Sequence, residues 1–518
     1  MKYKVKCSLR PVFKPTLLAA AIASSLVPGL GNGATVVVTH FDDDSGEEEI
    51  NGVTVDLVCS LREAINSFNN EDEEQGCFFD GVLGIDDAVL SYGTAFSTTA
   101  QLTVSPPNPL TISLGGATIS GQGTHRIMDV TGATVTLEDM TLRYGLDTSV
   151  GGGGLRIQTG STVTISNSTI SSNNALGDGG GILINGASLS ITNGSLITNN
   201  NVGAGYGGGI QANNATISIN DSTVSSNTAS QGGGLNFTAG TPLSLSLVNS
   251  TISYNYAYTG AGILLSTGML TANNTTFSGN TATNYGALNI IDGGSAVLDH
   301  TTFFGNEAPG SGGASFYIFG EEYSEVTVTL TNSVLSNGLG GSECGRNNQD
   351  LTGAFNTIID NGGNWFEDDS CNGVAQGDPK LQPLAANGGP TMTHLPTIAS
   401  PLRNLADSNC TVNDQRGRSR GPRCDTGAVE FVSAEIYVDS LLDDGTGCTL
   451  REAIMSKSSA TLQPGCTAGE PLDTADGRSI YFDESIAGQT ITLGGPQLTV
   501  SGGDRVEINP DRRDGISL

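Results

Sequence analysis

The sequence predicts an all-β chain wound as a parallel β-helix, a solenoid closed at its start by a short capping helix. Three observations carry that expectation. A seven-residue phrase recurs every 25–31 residues between residues 150 and 340, apolar residues alternate with period two ahead of each copy, and a glycine run precedes each strand.

The phrase reads Asn or Asp, small, Thr, apolar, two residues, Asn. It stands as Asn167-Ser-Thr-Ile-Ser-Ser-Asn173, Asn193-Gly-Ser-Leu-Ile-Thr-Asn199, Asp221-Ser-Thr-Val-Ser-Ser-Asn227, Asn249-Ser-Thr-Ile-Ser-Tyr-Asn255 and Asn274-Thr-Thr-Phe-Ser-Gly-Asn280. His300–Asn306 and Asn332–Asn337 continue it, and Thr357–Asn361 reads as a worn last copy. Its closing residues Asn173, Asn199, Asn227, Asn255, Asn280, Asn306 and Asn337 are expected to form a ladder, with amides bonded along the stack and satisfying the turn backbone. The first residue of the phrase is a polar turn position, so His300, the one histidine between Arg143 and Asn361, reads as a turn substitute before it reads as a base.

Ahead of each phrase lie apolar pairs: Val163/Ile165, Leu189/Ile191, Ile217/Ile219, Leu245/Leu247, Leu270/Ala272, Ala296/Leu298 and Val328/Leu330. Alternation puts one face inside and one outside. Earlier still come Gly151–Gly154, Gly179–Gly181, Gly207–Gly209 and Gly232–Gly234, where glycine permits positive φ and close backbone approach. A unit of three short strands cannot bury its apolar face alone, so the units must stack. At ~4.8 Å per coil, nine coils from Arg143 to Asn361 make a rod roughly 45 Å long.

Open strand edges need covers. Cys59-Ser-Leu-Arg-Glu-Ala-Ile65 and Cys448-Thr-Leu-Arg-Glu-Ala-Ile454 each place Ser or Thr three residues before Glu, the spacing that begins a helix. In both, a second cysteine follows 18 residues after the first, and Cys59–Cys77 and Cys448–Cys466 are expected as disulfides. Cys344, Cys371, Cys410 and Cys424 allow three pairings.

Residues 1–34 hold Lys2, Lys4, Lys6, Arg10 and Lys14 and then an apolar run from Leu17 to Leu30, broken by Pro28. They read as an export signal and not as a membrane span, which needs ~20 apolar residues. Beyond them, 17 basic and 52 acidic side chains leave a net charge of −35, which repels nucleic acid and anionic membrane surfaces.

Cys59-Ser-Leu-Arg-Glu-Ala resembles the signature of the CSLREA domain of exported bacterial proteins with right-handed β-helix repeats. Residues 377–431, with Asp378-Pro, Pro383-Leu-Ala-Ala-Asn-Gly-Gly-Pro390, His394, Asp414-Gln-Arg-Gly417 and Cys424-Asp-Thr-Gly-Ala-Val-Glu430, resemble the choice-of-anchor Q segment. Where that pattern has Ala-Ile-Asp-Ala-Gly after Ser-Pro, this chain has Leu402-Arg-Asn-Leu-Ala. The resemblance implies an exported surface or extracellular protein, right-handed winding and no known reaction. It divides the chain into a signal at 1–34, a cap with first coils at 35–122, the rod at 123–370, the anchor-like segment at 371–432 and a second, incomplete cap at 433–518. In the last, Gln489–Leu493 and Gln497–Ser501 read as strands opening another rod, so the chain is expected to be a fragment of a longer tandem protein.

The fold also resembles that of pectate lyases and polygalacturonases, so chemistry must be sought. Between Ile157 and Cys344 there is no Lys or Arg to neutralise a uronide or abstract its proton. Asp178, Asp221, Asp292 and Asp299 fall at different repeat positions and do not pair as glycoside hydrolysis requires. The acidic runs at 42–49 and 71–74 lack the spacing of a Ca²⁺ loop and read as solvated. No cofactor is expected. The reading is an exported, non-enzymatic rod for surface display or adhesion whose Ser/Thr/Asn faces bind glycans or surface proteins, with no nucleic acid and no membrane span. The rivals are a polysaccharide lyase or glycoside hydrolase, with a site in loops such as 320–323 or 361–369, and a plain spacer.

Overall fold

The computed structural model describes strands between residues 34 and 91, a helix at 61–70, most of 96–431 and scattered segments from 436 to 508. Within 96–431 the gaps are 239–243, 311, 321–323, 348–355, 398–399, 407–409 and 421–423. The signal-like residues 1–33, the acidic run 71–74, the loop 321–323 and the expected pair Cys59–Cys77 lie outside the described residues.

The described chain is a parallel β-solenoid of about nine turns. Each coil contributes one strand to each of three sheets, as Leu155–Ile157, Thr162–Ser166 and Thr169–Ser171 do in one coil. The first sheet runs from Leu102–Val104 to Cys344–Arg346, the third from Phe96–Ser97 to Trp365–Phe366. The second holds the alternating strands, which pair in register from Ala88–Ser91 to Thr357–Asp360. Every apolar pair named from the sequence points into one continuous core. Burying such side chains stabilises by roughly 1.5–3 kcal/mol each. Within it Phe277 stacks on Phe303 with ring centroids 4.4 Å apart.

Two turn positions explain the phrase. Its first residue sits at positive φ in coil after coil: Asn167 44°, Asn193 56°, Asp221 50°, Asn249 50°, Asn274 45°, His300 48° and Asn332 49°. Asn and Asp tolerate that region best among non-glycine residues. A second left-handed residue, such as Ser172, Asn199 or Ser226, then delivers the ladder asparagine. Glycine is required where the chain enters the first sheet. A Cβ on Gly181 would stand 2.9 Å from the Asn200 amide and 2.7 Å from the Gly209 carbonyl oxygen.

The asparagine ladder departs from the expectation at two places. It runs Asn173, Asn200, Asn227, Asn255, Asn280, Asn306, each backbone N–H donating to the next side-chain oxygen at 3.0–3.1 Å. Asn199 is not in it. Gly194 inserts one residue into that copy, so Ser195 takes the position of Ser168, and Asn199 is left exposed at the left-handed turn. Asn337 is not in it either. Its phrase is one residue short, Gly338 falls at the ladder position, and Glu343 Oε1 accepts the Gly338 N–H at 2.7 Å in place of an amide. Thr357–Asp360 is also no copy of the phrase, because it pairs with Thr327–Thr331 in the second sheet.

The helix Leu61–Asn70 covers the open edge of the first sheet. Arg62 donates to the carbonyls of Ala100 and Gln101, and Asn69 exchanges bonds with Thr103 and Ser105. The second copy, Leu450–Ser459, begins with the Glu452 N–H donating to Thr449 Oγ1 at 3.3 Å, and a disulfide joins Cys448 to Cys466. Its strands Ile436–Val438, Ser479–Phe482 and Glu507–Ile508 pair in parallel around a core of their own. Gln489–Leu493 is not a strand, since Ser479–Phe482 already has both neighbours. The other cysteines pair as Cys344–Cys371 and Cys410–Cys424.

Candidate ligand-binding faces

Four features of the rod carry side chains able to meet a ligand. On the outer face of the first sheet, near its start, Asp129 accepts from Arg156, Gln158 and Gln101, while Arg126 donates to Asp147, Gln101 and the carbonyls of Gly151 and Gly152. Burial raises the Asp129 carboxyl, but bonds from Arg156 and Gln158 outweigh it and hold the group below its ordinary value. Burial lowers the Arg126 guanidinium against the pull of Asp147. The set is a brace between coils, with its charges consumed internally. Asp147→Ala leaves the buried Arg126 without its carboxylate and is expected to cost about 2–3 kcal/mol in denaturant unfolding, with the carbonyl partners retained.

The anchor-like segment occupies the third sheet. Thr251 Oγ1 donates to the Met392 carbonyl, Thr276 Oγ1 to Gln415 Oε1, and Gln415 Nε2 to Thr251 Oγ1 and the Ser250 carbonyl. His394 bonds Ser278 Oγ at 2.8 Å and the Gln382 carbonyl at 2.7 Å, and burial lowers its pKa. Thr251, Thr276 and Thr302 are consequently buried, whereas their counterparts Thr141, Thr169 and Thr223 stay part-exposed. His300 lies beneath this clasp, fully buried between Asp299 and the Cys424 sulfur; burial lowers its pKa against the opposing bond to Asp299. Inside the clasp Arg416 pairs with Asp414, and Arg420 with Glu430. The ion pairs order the segment within itself, and His394, His300 and the bond from Arg420 to Asn274 Oδ1 at 3.1 Å hold it to the rod.

At the far end Glu343 is 3% exposed, accepts from Ser315 Oγ and the Gly338 N–H, and lies near Glu367 and Asp368. Burial, with Asp368 and Glu367 adding to it, pushes its carboxyl up to about 7. Sequence reasoning passed over Glu343, because only the absence of a ladder asparagine marks it.

The fourth feature is aromatic. On the strand Tyr256–Thr259, Ala257 is buried and Tyr256 and Tyr258 face out, 50% and 52% exposed; Tyr254 in the preceding turn is 53% exposed. The Tyr254 ring lies over Gly279 of the next coil, where a Cβ would come within 2.7 Å of it. Tyr256 stands in a row with Asn174, Asn201, Thr228, Thr281 and Glu307, one per coil. Asn201 donates to Asn174 at 3.0 Å, and Thr281 to Glu307 at 3.4 Å. The sequence showed these tyrosines only as residues of a turn and strand. Among the described residues, no group of three His, Cys, Asp or Glu side chains is placed to hold a metal ion. No helix among them is long and apolar enough to cross a membrane.

Residues 111–274 match a family described as right handed beta helix region, which gives the winding its hand. A solved structure titled as the crystal structure of pectate lyase Pel9A is similar at 12% identity and a TM-score of 0.45, over 76% of this chain and 96% of that one. No curated protein matches the sequence.

Proposed function

We propose that this chain is an exported, non-enzymatic rod for cell-surface display or adhesion that binds glycans on its tyrosine-bearing edge. The observation that carries the reading is the half-exposed set Tyr254, Tyr256 and Tyr258 in one coil. Such rings offer apolar faces to sugar C–H groups, and tyrosine commonly anchors binding surfaces. The amides, hydroxyls and carboxylate of the Asn174-to-Glu307 row stand beside them as partners for sugar hydroxyls. The residual charge supports a site for neutral glycans, since anionic ones would be repelled. The export signal and the CSLREA-like and anchor-like segments support a surface location.

The test is a glycan array with the full chain, followed by turnover assays on each glycan retained. Tyr256→Ala with Tyr258→Ala is expected to weaken binding about tenfold or more, ~1.4 kcal/mol, with the melting temperature unchanged. Retention that survives loss of all three rings sinks the assignment of the face. A glycoside hydrolase is the second reading, favoured by Glu343 beside Glu367 and Asp368, since a carboxyl kept protonated near neutral pH is what a general acid needs. Reducing ends released by the chain and lost in Glu343→Gln would decide for it; the burial of Glu343 speaks against it.

A further inference from the structure

The outer face of the second sheet carries a lattice that neither glycan binding nor the fold requires. From Thr134–Glu138 to Ser244–Val248, five consecutive coils present hydroxyls at two positions each: Thr134 and Thr136, Thr162 and Thr164, Ser188 and Ser190, Thr216 and Ser218, Ser244 and Ser246. The strands pair in register without a slip across all five. The ten hydroxyls therefore repeat at ~4.8 Å along the rod and, two residues apart, at ~6.7 Å across it. Thr111 and Thr271 continue the inner column by one coil at each end, and Val297 ends it before Thr329.

Three properties separate this face from an ordinary solvated sheet. Its ten positions hold no charge, in a chain with 52 acidic residues, and the one carboxylate on the outer face of these five strands is Glu138 at the end of the first. They hold no aromatic ring either, while the exposed Tyr256 and Tyr258 stand on the strand between the third and first sheets. Every one of the ten is at least part-exposed, and among the described residues their only side-chain bond is the one Ser218 accepts from Asn220. A soluble ligand with few groups would need a pocket or a charge, and a crystalline polysaccharide would be met by flat aromatic rings. A repeating, uncharged array of hydroxyls and threonine methyls instead fits a solid surface made of hydroxyl-like donors and acceptors at fixed spacing. Ordered water has that chemistry, and its lattice repeats in ice are close to both spacings of the array.

We infer that this face binds ice, holding water in an ice-like layer between its hydroxyl columns. Methyl groups of Thr134, Thr136, Thr162, Thr164 and Thr216 order water from the apolar side while the hydroxyls pin it, and the two all-serine coils supply the pinning alone. The inference is independent of the glycan reading, because it uses a different sheet.

The experiment is slow growth of a polycrystalline ice hemisphere in a dilute solution of the full chain, with recrystallisation inhibition measured in parallel. The chain is expected to be taken into the ice and to arrest crystal coarsening. Thr164→Tyr with Ser190→Tyr, both at part-exposed positions on the outer face, are expected to abolish incorporation with an unchanged circular dichroism spectrum. Tyr256→Ala on the other edge is expected to leave it unchanged. Exclusion of the unmodified chain from the ice, or incorporation that persists in the double tyrosine variant, overturns the proposal. Adsorption to cellulose or chitin without incorporation into ice overturns it too, and assigns the lattice to a crystalline polysaccharide.

Discussion

Asn200→Ala is expected to lower the unfolding free energy by about 3–5 kcal/mol, while Asn199→Gly, one residue away, changes it by less than about 0.5 kcal/mol. The two asparagines look alike in sequence and differ wholly in what they hold. The Asn200 side chain, 1% exposed, accepts from the Asn173 N–H at 3.1 Å and the Asn173 amide at 3.0 Å; it donates to the Ile170 carbonyl at 2.9 Å and to Asn227 at 3.0 Å. Alanine leaves a buried N–H, a buried carbonyl and two neighbouring amides short of partners, and each such group costs about 1–3 kcal/mol. Among the described residues the Asn199 side chain bonds only Thr198 Oγ1, and Asn199 occupies φ 55°, a conformation that glycine adopts freely. Urea unfolding of the two variants checks the difference. Because stacked repeats interact with nearest neighbours, amide hydrogen exchange in Asn200→Ala is expected to quicken first in the coils that hold Asn173 and Asn227. Equal destabilisation by the two changes would refute the ladder as the structure draws it.

The stabilisation that two buried carboxyls give together is expected to be lost between about pH 4.5 and about pH 7, on the order of 5 kcal/mol. Glu343 and Glu430 are each pushed from 4.5 up to about 7, mainly by burial, with Asp368 and Glu367 adding at the first and Asp425 at the second. A carboxyl with a raised folded pKa favours the protonated form in the fold. Its contribution is therefore fully present below 4.5, the unfolded value, and is lost as pH rises through about 7. The histidines act in the opposite sense. His300 and His394 are depressed by burial, so their contribution is present above 6.5 and is lost as pH falls through their lower folded values. Below 6.5 the histidines therefore offset the carboxyls, and from 6.5 to about 7 the loss from the carboxyls stands alone. Glu343→Gln, which keeps an acceptor for the Gly338 N–H and a polar group at Ser315, is expected to reduce the carboxyl-driven fall up to about pH 7 by roughly half. A Glu343→Gln profile parallel to that of the unmodified chain would show that this carboxyl is ionised in the fold at neutral pH.

The winding was legible in the sequence because it rests on local rules. Period-two apolar pairs such as Val163/Ile165 specify which face of a strand is buried, and the first residue of each phrase specifies a left-handed turn wherever Asn or Asp recurs. The capping helices were legible for the same reason, since Thr449 meets the Glu452 N–H three residues along the chain. What lay out of reach depends on register or on distance along the chain. A single inserted Gly194 moves the ladder from Asn199 to Asn200, and one missing residue before Gly338 ends it and brings in Glu343. Counting along a repeat sees neither, because hydrogen bonds compare coils in space and not by sequence offset. The tyrosine edge and the clasp were equally hidden. Exposure of Tyr256 and Tyr258 follows from Ala257 packing inward, and Gln415 reaches Thr251 across 164 positions. The sequence by itself determined a stacked β-rod with capped ends and its acidic charge. Only the tertiary structure decided which asparagines carry the stack, which hydroxyls are covered by residues 380–431 and which are left as an open lattice, because each depends on side chains that meet only once the coils are wound.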